Sequence, residues 1–262
     1  KVMEKVDVTV LISVRNEGEY IGETIESLLN QTYKNFELWV IDDGSTDNTW
    51  KVIKSFNDKR LRSWRFNVNL GMTKIINWAI PKIKTKYVAR MDSHNVAKSD
   101  RLQKQVNYMT THPMTMAIGS NYSRIDEDGK VLLVTNFPTE YRSIKLKLME
   151  KNLFKHASMF IRREVYDLAG FYDPYFRIAQ DYDFILRVAA KYPVGNLSDV
   201  LITETYRTAN LSQRFRVRSA WEALVVQVKG LTKYSYPAWQ SIYLLRGVGF
   251  LGKSIIYKFI SK

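Results

Sequence analysis

Tyr87-Val88-Ala89-Arg90-Met91-Asp92-Ser93-His94-Asn95 is the stretch on which the reading of the fold turns. With Lys86 in front of it, the run to Met91 has the apolar character of a strand. It ends in an acid, a small residue, an imidazole and an amide. Oxygen and nitrogen donors gathered at a strand end can hold a divalent cation. In an open α/β sheet, the carboxyl ends of strands are where ligands bind. Asp92 and His94 are therefore candidate metal ligands, with a diphosphate as the group such a metal would hold.

Toward the N-terminus, Val8 to Val14 is an apolar, β-branched run that predicts a buried strand. Arg15-Asn16-Glu17-Gly18 makes a turn. Ile21 to Asn30 follows as a helix with Ile21, Ile25, Leu28 and Leu29 on one face. Phe36 to Ile41 is a second strand, ending abruptly in Asp42-Asp43-Gly44-Ser45-Thr46-Asp47. Thr46 or Asp47 can cap the helix that holds Trp50, Val52 and Ile53. A short strand is expected near Leu61 to Phe66. Asn69-Leu70-Gly71 then opens a helix that Pro81 limits. Strands alternating with helices through short connections predict an α/β fold with a mostly parallel sheet flanked by helices. No G-x-G-x-x-G follows the first strand and no G-x-x-x-x-G-K-[ST] occurs, which argues against dehydrogenase and P-loop readings.

Toward the C-terminus, a helix is expected over Arg101 to Met109 and a strand over Met116 to Tyr122. Asp126 to Lys130 forms a hairpin turn feeding Val131 to Val134. Ser143 to Asn152 reads as a basic helix, Ala157 to Ile161 as a strand, and Glu164 to Ala169 as a short helix ended by Gly170. The helix after Asp181-Tyr182-Asp183 buries Phe184, Ile185, Val188 and Ala189. Leu201 to Arg207 is the last strand. From Gln213 the pattern changes to helical, basic and aromatic. The expected organisation is thus a domain over residues 1–212 and a helical C-terminal extension over 213–262.

The 262 residues are 45% hydrophobic and carry a formal charge of +14. Such a balance attracts polyanions, and its placement decides which. From residue 223 onward there is no acid, against Lys229, Lys233, Arg246, Lys253, Lys258 and Lys262. Basic residues interleaved with Trp and Tyr suit a helix lying on an anionic membrane surface. No recognition motif for nucleic acid accompanies the charge. Cysteine is absent, so neither disulfides nor a thiolate metal site are available. No apolar run reaches the roughly 18 residues a spanning helix needs. Lys1 to Lys5 lead straight into a strand pattern without the layout of a signal peptide.

Taken in order, several short stretches resemble the inverting family 2 glycosyltransferases of the GT-A, Rossmann-like fold. They are Val10 to Glu17, Ser27 to Tyr33, Trp39 to Asp47, Asn69-Leu70-Gly71 with Asn77, Ala89 to Asp92, His156-Ala157-Ser158, Gly170 to Asp173 and Gln180 to Asp183. The resemblance covers about residues 7 to 210. It implies that Ser13, Arg15, Glu17, Asp42 and Asp43 hold the nucleoside, since carboxylates accept from base N–H groups and ribose hydroxyls. Gly71, Lys74 and Asp92 fall at the diphosphate, with Lys74 a salt partner for Asp92 or the phosphates.

The family's acid-x-acid signature falls on Asp92-Ser93-His94, with His where a second Asp is commoner. That variant is similar to bacterial exopolysaccharide transferases of the succinoglycan type. Imidazole favours the softer ion, so Mn²⁺ is expected over Mg²⁺. Tyr206-Arg207-Thr208-Ala209 departs from relatives that have a His about where Ala209 falls. The resemblance places the general base on Asp181, with Asp183 in support, Gln180 where Glu is commoner, and His156 toward the acceptor. The expected activity is transfer of a sugar, with inversion, from a UDP-hexose to a glycan or polyprenyl-linked saccharide. The expected location is cytoplasmic, peripheral on the inner face of the cell membrane. The alternative is a non-catalytic nucleotide-sugar-binding partner that keeps the fold.

Overall fold

The computed structural model describes residues 6–206 and 215–260. Strands β1 (Val8–Val14), β2 (Phe36–Asp42), β3 (Leu61–Arg65) and β4 (Tyr87–Met91) alternate with helices α1 (Ile21–Leu29), α2 (Thr49–Ser55) and α3 (Met72–Ala79). β5 (Asn95–Ala97), α4 (Arg101–Thr111), β6 (Ala117–Ile125), β7 (Val131–Val134) and α5 (Tyr141–Lys147) follow. Next come β8 (Phe160–Arg162), α6 (Val165–Ala169), α7 (Gln180–Lys191) and β9 (Val194–Thr205). Helices α8 (Arg216–Lys233) and α9 (Ile242–Ile260) close the chain.

One sheet runs β3-β2-β1-β4-β8-β6-β9-β5, with β7 paired to β6. Its first four strands are parallel. Val14 stands opposite Asp42, and Ile12 opposite Met91. The carboxyl ends of β1, β2 and β4 therefore open on one edge, each followed by a polar loop. Beyond β4 the sheet is mixed: β8 is antiparallel to both β4 and β6, whereas β6 and β9 are parallel. Every residue of β1 is buried, as expected for a strand covered on both faces. Val8, Val10, Ile12 and Val14 face the core with Ile21, Ile25, Leu28 and Leu102; Leu11 faces Ile75, Ile76 and the side occupied by Phe184 and Val188.

The elements up to β4 lie within a residue or two of expectation, because their periodicity is uninterrupted. Differences begin where short polar residues compete for the backbone. The expected strand Ala157 to Ile161 is a 3-10 turn over His156–Ser158 followed by β8. Ser158 N–H donates back to Lys155 O at 2.9 Å, and its Oγ accepts from Ser120 N–H at 3.1 Å. Only from Phe160 is the backbone free for a ladder. The expected helix 143–152 runs instead over Tyr141–Lys147. The last strand begins at Val194, since its partner β6 is long enough to pair with all of it. β5 carries no sequence signal of its own. Its antiparallel pairing with β9 sets Asn95 opposite Glu204. Arg207, Thr208, Ala209 and the 212/213 boundary lie outside the described residues.

α8 lies against α7, and α9 against α8. Helical spacing alone puts an apolar stripe of α8 on Trp221, Leu224, Val225 and Val228. Instead Ala220, Glu222, Val226, Gln227 and Gly230 are buried, while Trp221 and Val228 are exposed. Polar anchors decide this rotation: Gln227 Nε2 donates to Met149 O at 2.9 Å, and Lys229 pairs with Asp183 at 2.5 Å. Gly230 lets α8 come close to Met149 and Leu186, whose side-chain ends would have to shift for a Cβ there. No helix among the described residues is long and apolar enough to cross a membrane.

Candidate active site

The loops after β1 and β2 interlock. Asn16 adopts a left-handed φ of 52°, which an Asn tolerates. From there its Oδ1 accepts Thr46 N–H at 2.9 Å, and its N–H donates to Ser45 Oγ at 3.0 Å. Asp42 is fully buried, accepts Ser45 N–H at 2.9 Å and pairs with Arg65 at 3.3 Å. Asp43 accepts the N–H groups of Leu70 at 2.7 Å and Gly71 at 2.8 Å. Burial pushes the Asp43 carboxyl above its usual range, against the pull of those two N–H groups and Arg15. Gly71 (φ 90°) starts α3 in a conformation other residues avoid.

Of the residues expected at the nucleoside, Ser13 is buried at the end of β1 and Arg15 is exposed. Glu17 donates its N–H to Thr49 Oγ1 at 2.8 Å. These residues share one edge of the sheet, and the two acids also build the loops that form it.

Asp92 sits at the end of β4 beside Arg90, whose Nη2 is 3.8 Å from Asp92 Oδ1. Arg90 is completely buried. Its Nη1 donates to Leu11 O, and its Nε to His156 Nε2 at 3.3 Å. Burial pushes the Asp92 carboxyl up, but the positive charge around it, Arg90 and Lys155 foremost, holds it below the usual range. The cation beside Asp92 is thus Arg90. Lys74, expected as a salt partner for Asp92, is exposed on the first turn of α3 and forms no ion pair among the described residues. His94 Nε2 lies 4.0 Å from Oε1 of the buried Glu204, which also pairs with Lys155 at 2.5 Å and Arg124 at 2.8 Å.

Asp181 occupies the first turn of α7. It accepts from Tyr182 N–H at 2.8 Å and Asn152 Nδ2 at 3.0 Å. Burial, reinforced by the charge of Asp92, raises its carboxyl to about 6, against the opposing pull of Tyr182 N–H and Lys155. A base with that value is ionised at neutral pH and still able to accept a proton. Gln180 is buried, and its Oε1 has no hydrogen-bond partner.

Two residues expected on the acceptor side are engaged elsewhere. His156 lies under Arg90, with the Tyr172 hydroxyl 3.3 Å from Nε2. Burial, then Arg90, depresses its imidazole to about 3, so it stays neutral. Asp183 is fully buried and points to α8: Lys229 is at 2.5 Å, the Tyr234 hydroxyl at 2.7 Å and Arg187 at 3.2 Å. Residues two apart on a helix face different ways, so Asp181 and Asp183 cannot share one small site.

The donors present fit a divalent cation held jointly with a ligand. Asp92 Oδ1 is buried without a hydrogen-bond partner, and the carboxyl is biased to its ionised form. No group of three His, Cys, Asp or Glu among the described residues could hold a metal. Among the described residues, Asp92 and His94 are the donors the chain would supply. Sequence reasoning missed Arg90, Asn152, Lys155 and Glu204. Only Arg90 left a signal, a charge inside an otherwise apolar strand.

The family model described as Glycosyl transferase family 2 matches residues 9–168. The O-antigen biosynthesis glycosyltransferase WbnJ of Escherichia coli is 29% identical over 231 residues, covering 86% of this chain and 89% of that protein. Staphylococcus aureus TarS (residues 1–349), solved in complex with UDP-GlcNAc, superposes with a TM-score of 0.74 at 18% identity, covering 93% of this chain and 72% of that one. The mannosyltransferase PcManGT of Pyrobaculum calidifontis, solved with GDP-Man and Mn²⁺, gives 0.68 at 19%, covering 93% and 69%. At these identities the solved structures speak for the GT-A fold.

Proposed function

The chain belongs to glycosyl transferase family 2, and from that premise we propose that it moves a hexose, with inversion, from a UDP-sugar to a hydroxyl of a glycan or polyprenyl-linked saccharide in cell-surface polysaccharide synthesis. The observation that carries the reading is Asp181, a carboxylate raised to about 6 and close enough to Asp92 to feel its charge. The O-antigen role in WbnJ's name and the UDP-GlcNAc bound to TarS support the polymer and the nucleotide.

Asp181 takes the proton from the acceptor hydroxyl as that oxygen attacks the anomeric carbon. Asn152 holds one carboxylate oxygen and Tyr182 N–H the other, which aims the base. A single displacement with the base opposite the leaving group inverts the centre. Gln180 Oε1, buried and unpartnered, is suited to a sugar hydroxyl. The loops bearing Ser13, Arg15, Glu17, Asp42, Asp43 and Gly71 receive the nucleoside and diphosphate. Asp92, with His94, would hold a divalent metal, Mn²⁺ over Mg²⁺; Mn²⁺ is the ion present in the PcManGT complex. When bound, such a metal neutralises charge on the departing diphosphate. Arg90, fixed by Leu11 O and His156, keeps Asp92 ionised and oriented.

The C-terminal helices support a peripheral role on an anionic membrane. Trp239 (57% exposed), Ile242 (60%) and Leu245 (73%) present apolar side chains to solvent, and Lys253 is exposed further along the same helix, α9, that carries Ile242 and Leu245. Lys229 and Arg246 do not add to this surface, being paired with Asp183 and Glu150. UDP release from UDP-glucose, UDP-galactose and UDP-N-acetylglucosamine, with Mn²⁺ and a polyprenyl-diphosphate-linked sugar, tests the activity. Release that is abolished in Asp181→Asn supports it. UDP binding without release from any of these would return the chain to the non-catalytic reading.

A further inference from the structure

α7 begins without a cap of its own. Ala179 stands at its N-cap position and offers no side-chain cap, and of the leading N–H groups Asp181 itself accepts that of Tyr182. Those groups are normally met by a Ser, Thr, Asp or Asn at that position. What α8 supplies is a grip on the backbone just ahead of them. Glu222 is 1% exposed, and its Oε2 accepts the N–H groups of Ile178 at 2.7 Å, Ala179 at 3.0 Å and Arg177 at 3.1 Å. Arg218 Nε holds Oε1 at 2.6 Å. Burial pushes the Glu222 carboxyl up, but Arg218 and the three N–H groups bring it below its usual range. A buried carboxylate accepting three successive N–H groups fixes the backbone it grips. That backbone runs directly into Gln180 and Asp181.

We propose that Glu222 is a positioning residue for the transfer: it holds residues 177–179 so that α7 presents the Asp181 carboxylate to the acceptor. This rests on the reading of Asp181 as the base. α8 then grips α7 on both sides of that base, through Glu222 before it and through the Lys229–Asp183 pair after it. The C-terminal segment is accordingly part of the active site, whatever surface its outer face meets.

Glu222→Gln keeps the size of the side chain, but whichever way its amide turns, the NH₂ meets either the three backbone N–H groups at the Oε2 position or Arg218 Nε and the Arg177 N–H at the Oε1 position. The test compares the full chain with Glu222→Gln, Asp181→Asn and the exposed Thr232→Ala as a control on the same helix. UDP release from the three UDP-sugars above gives kcat and donor KM. Isothermal titration with UDP and Mn²⁺ gives nucleotide affinity, and amide hydrogen exchange reads residues 177–182 directly. Glu222→Gln is expected to lower kcat at least about tenfold with donor KM and UDP affinity unchanged, and to speed exchange at 177–182 alone. Thr232→Ala is expected to match the parent.

Unchanged kcat or unchanged exchange in Glu222→Gln overturns the proposal. So does a loss of kcat matched by an equal loss of UDP-binding sites, which marks unfolding and not misplacement. A fully active Asp181→Asn, or a parent chain that releases no UDP, sinks the reading beneath it instead.

Discussion

Replacing Asp181 by Asn should make the protein more stable at neutral pH while removing its activity. The carboxyl is raised from 3.8 to about 6. In the unfolded chain it ionises near 3.8, in the native state only near 6. The native state therefore holds the extra proton between those values, and stability is lost as pH rises through the window. At about 1.4 kcal/mol per unit, the full cost above pH 6 is about 3 kcal/mol. Asparagine carries no such cost. It does lose the bond from Asn152 Nδ2, because two amide NH₂ groups then face each other, at about 1 kcal/mol.

The net gain at pH 7.5 is about 2 kcal/mol, or a Tm higher by about 4–8 °C for a chain of this size. At pH 5.0 the ionisation cost has fallen to about 1.6 kcal/mol, and the gain shrinks to well under 1 kcal/mol. Thermal melts of both proteins across pH 5.0–7.5 measure the difference. A Tm shift independent of pH would refute the raised carboxyl and, with it, the account of the base.

The same carboxyl sets the acid limb of activity: kcat/KM should fall as pH drops below about 6, and a limb near 4 would assign the proton acceptor elsewhere. Asp92→Asn should abolish stimulation by Mn²⁺, and His94→Ala should raise the half-activating Mn²⁺ concentration about tenfold, ~1.4 kcal/mol; if His94→Ala changes nothing, the imidazole belongs to Glu204 and not to a metal. Gly44→Ala should destabilise by about 2 kcal/mol in urea melts, since φ is +70° and the new Cβ would lie 2.7 Å from Val68 C. Trp239→Ala with Leu245→Ala should cut pelleting on phosphatidylglycerol vesicles about tenfold or more, and equal pelleting would remove the outer face of α9 from membrane contact.

The alternation of buried strands and amphipathic helices up to Met91 was legible because each element there follows a single period. Asp92 and Asp181 were legible too, as polar residues where apolar patterns stop. The side-chain partners were not. Arg90 reaches His156 across 66 residues, and Glu222 reaches Ile178 across 44. Spacing along a chain says nothing about pairs that only sheet order and helix docking bring together.

Asp183 makes the point most sharply. Two residues from Asp181, it has the same chemistry and the same helix, and sequence reasoning gave it to the same site. The rotation of α7 sends it to Lys229 instead. The rotation of α8 likewise turned Trp221 outward and Glu222 inward. By itself the sequence determined the strand-helix order, the acids at the strand ends and the helix starts, and the basic, acid-free C-terminus, all of which are local patterns. The tertiary structure decided which of those acids are free to meet a ligand and which are spent on backbone N–H groups and cations. That depends on the desolvation of each carboxylate, and only packing of distant segments sets it.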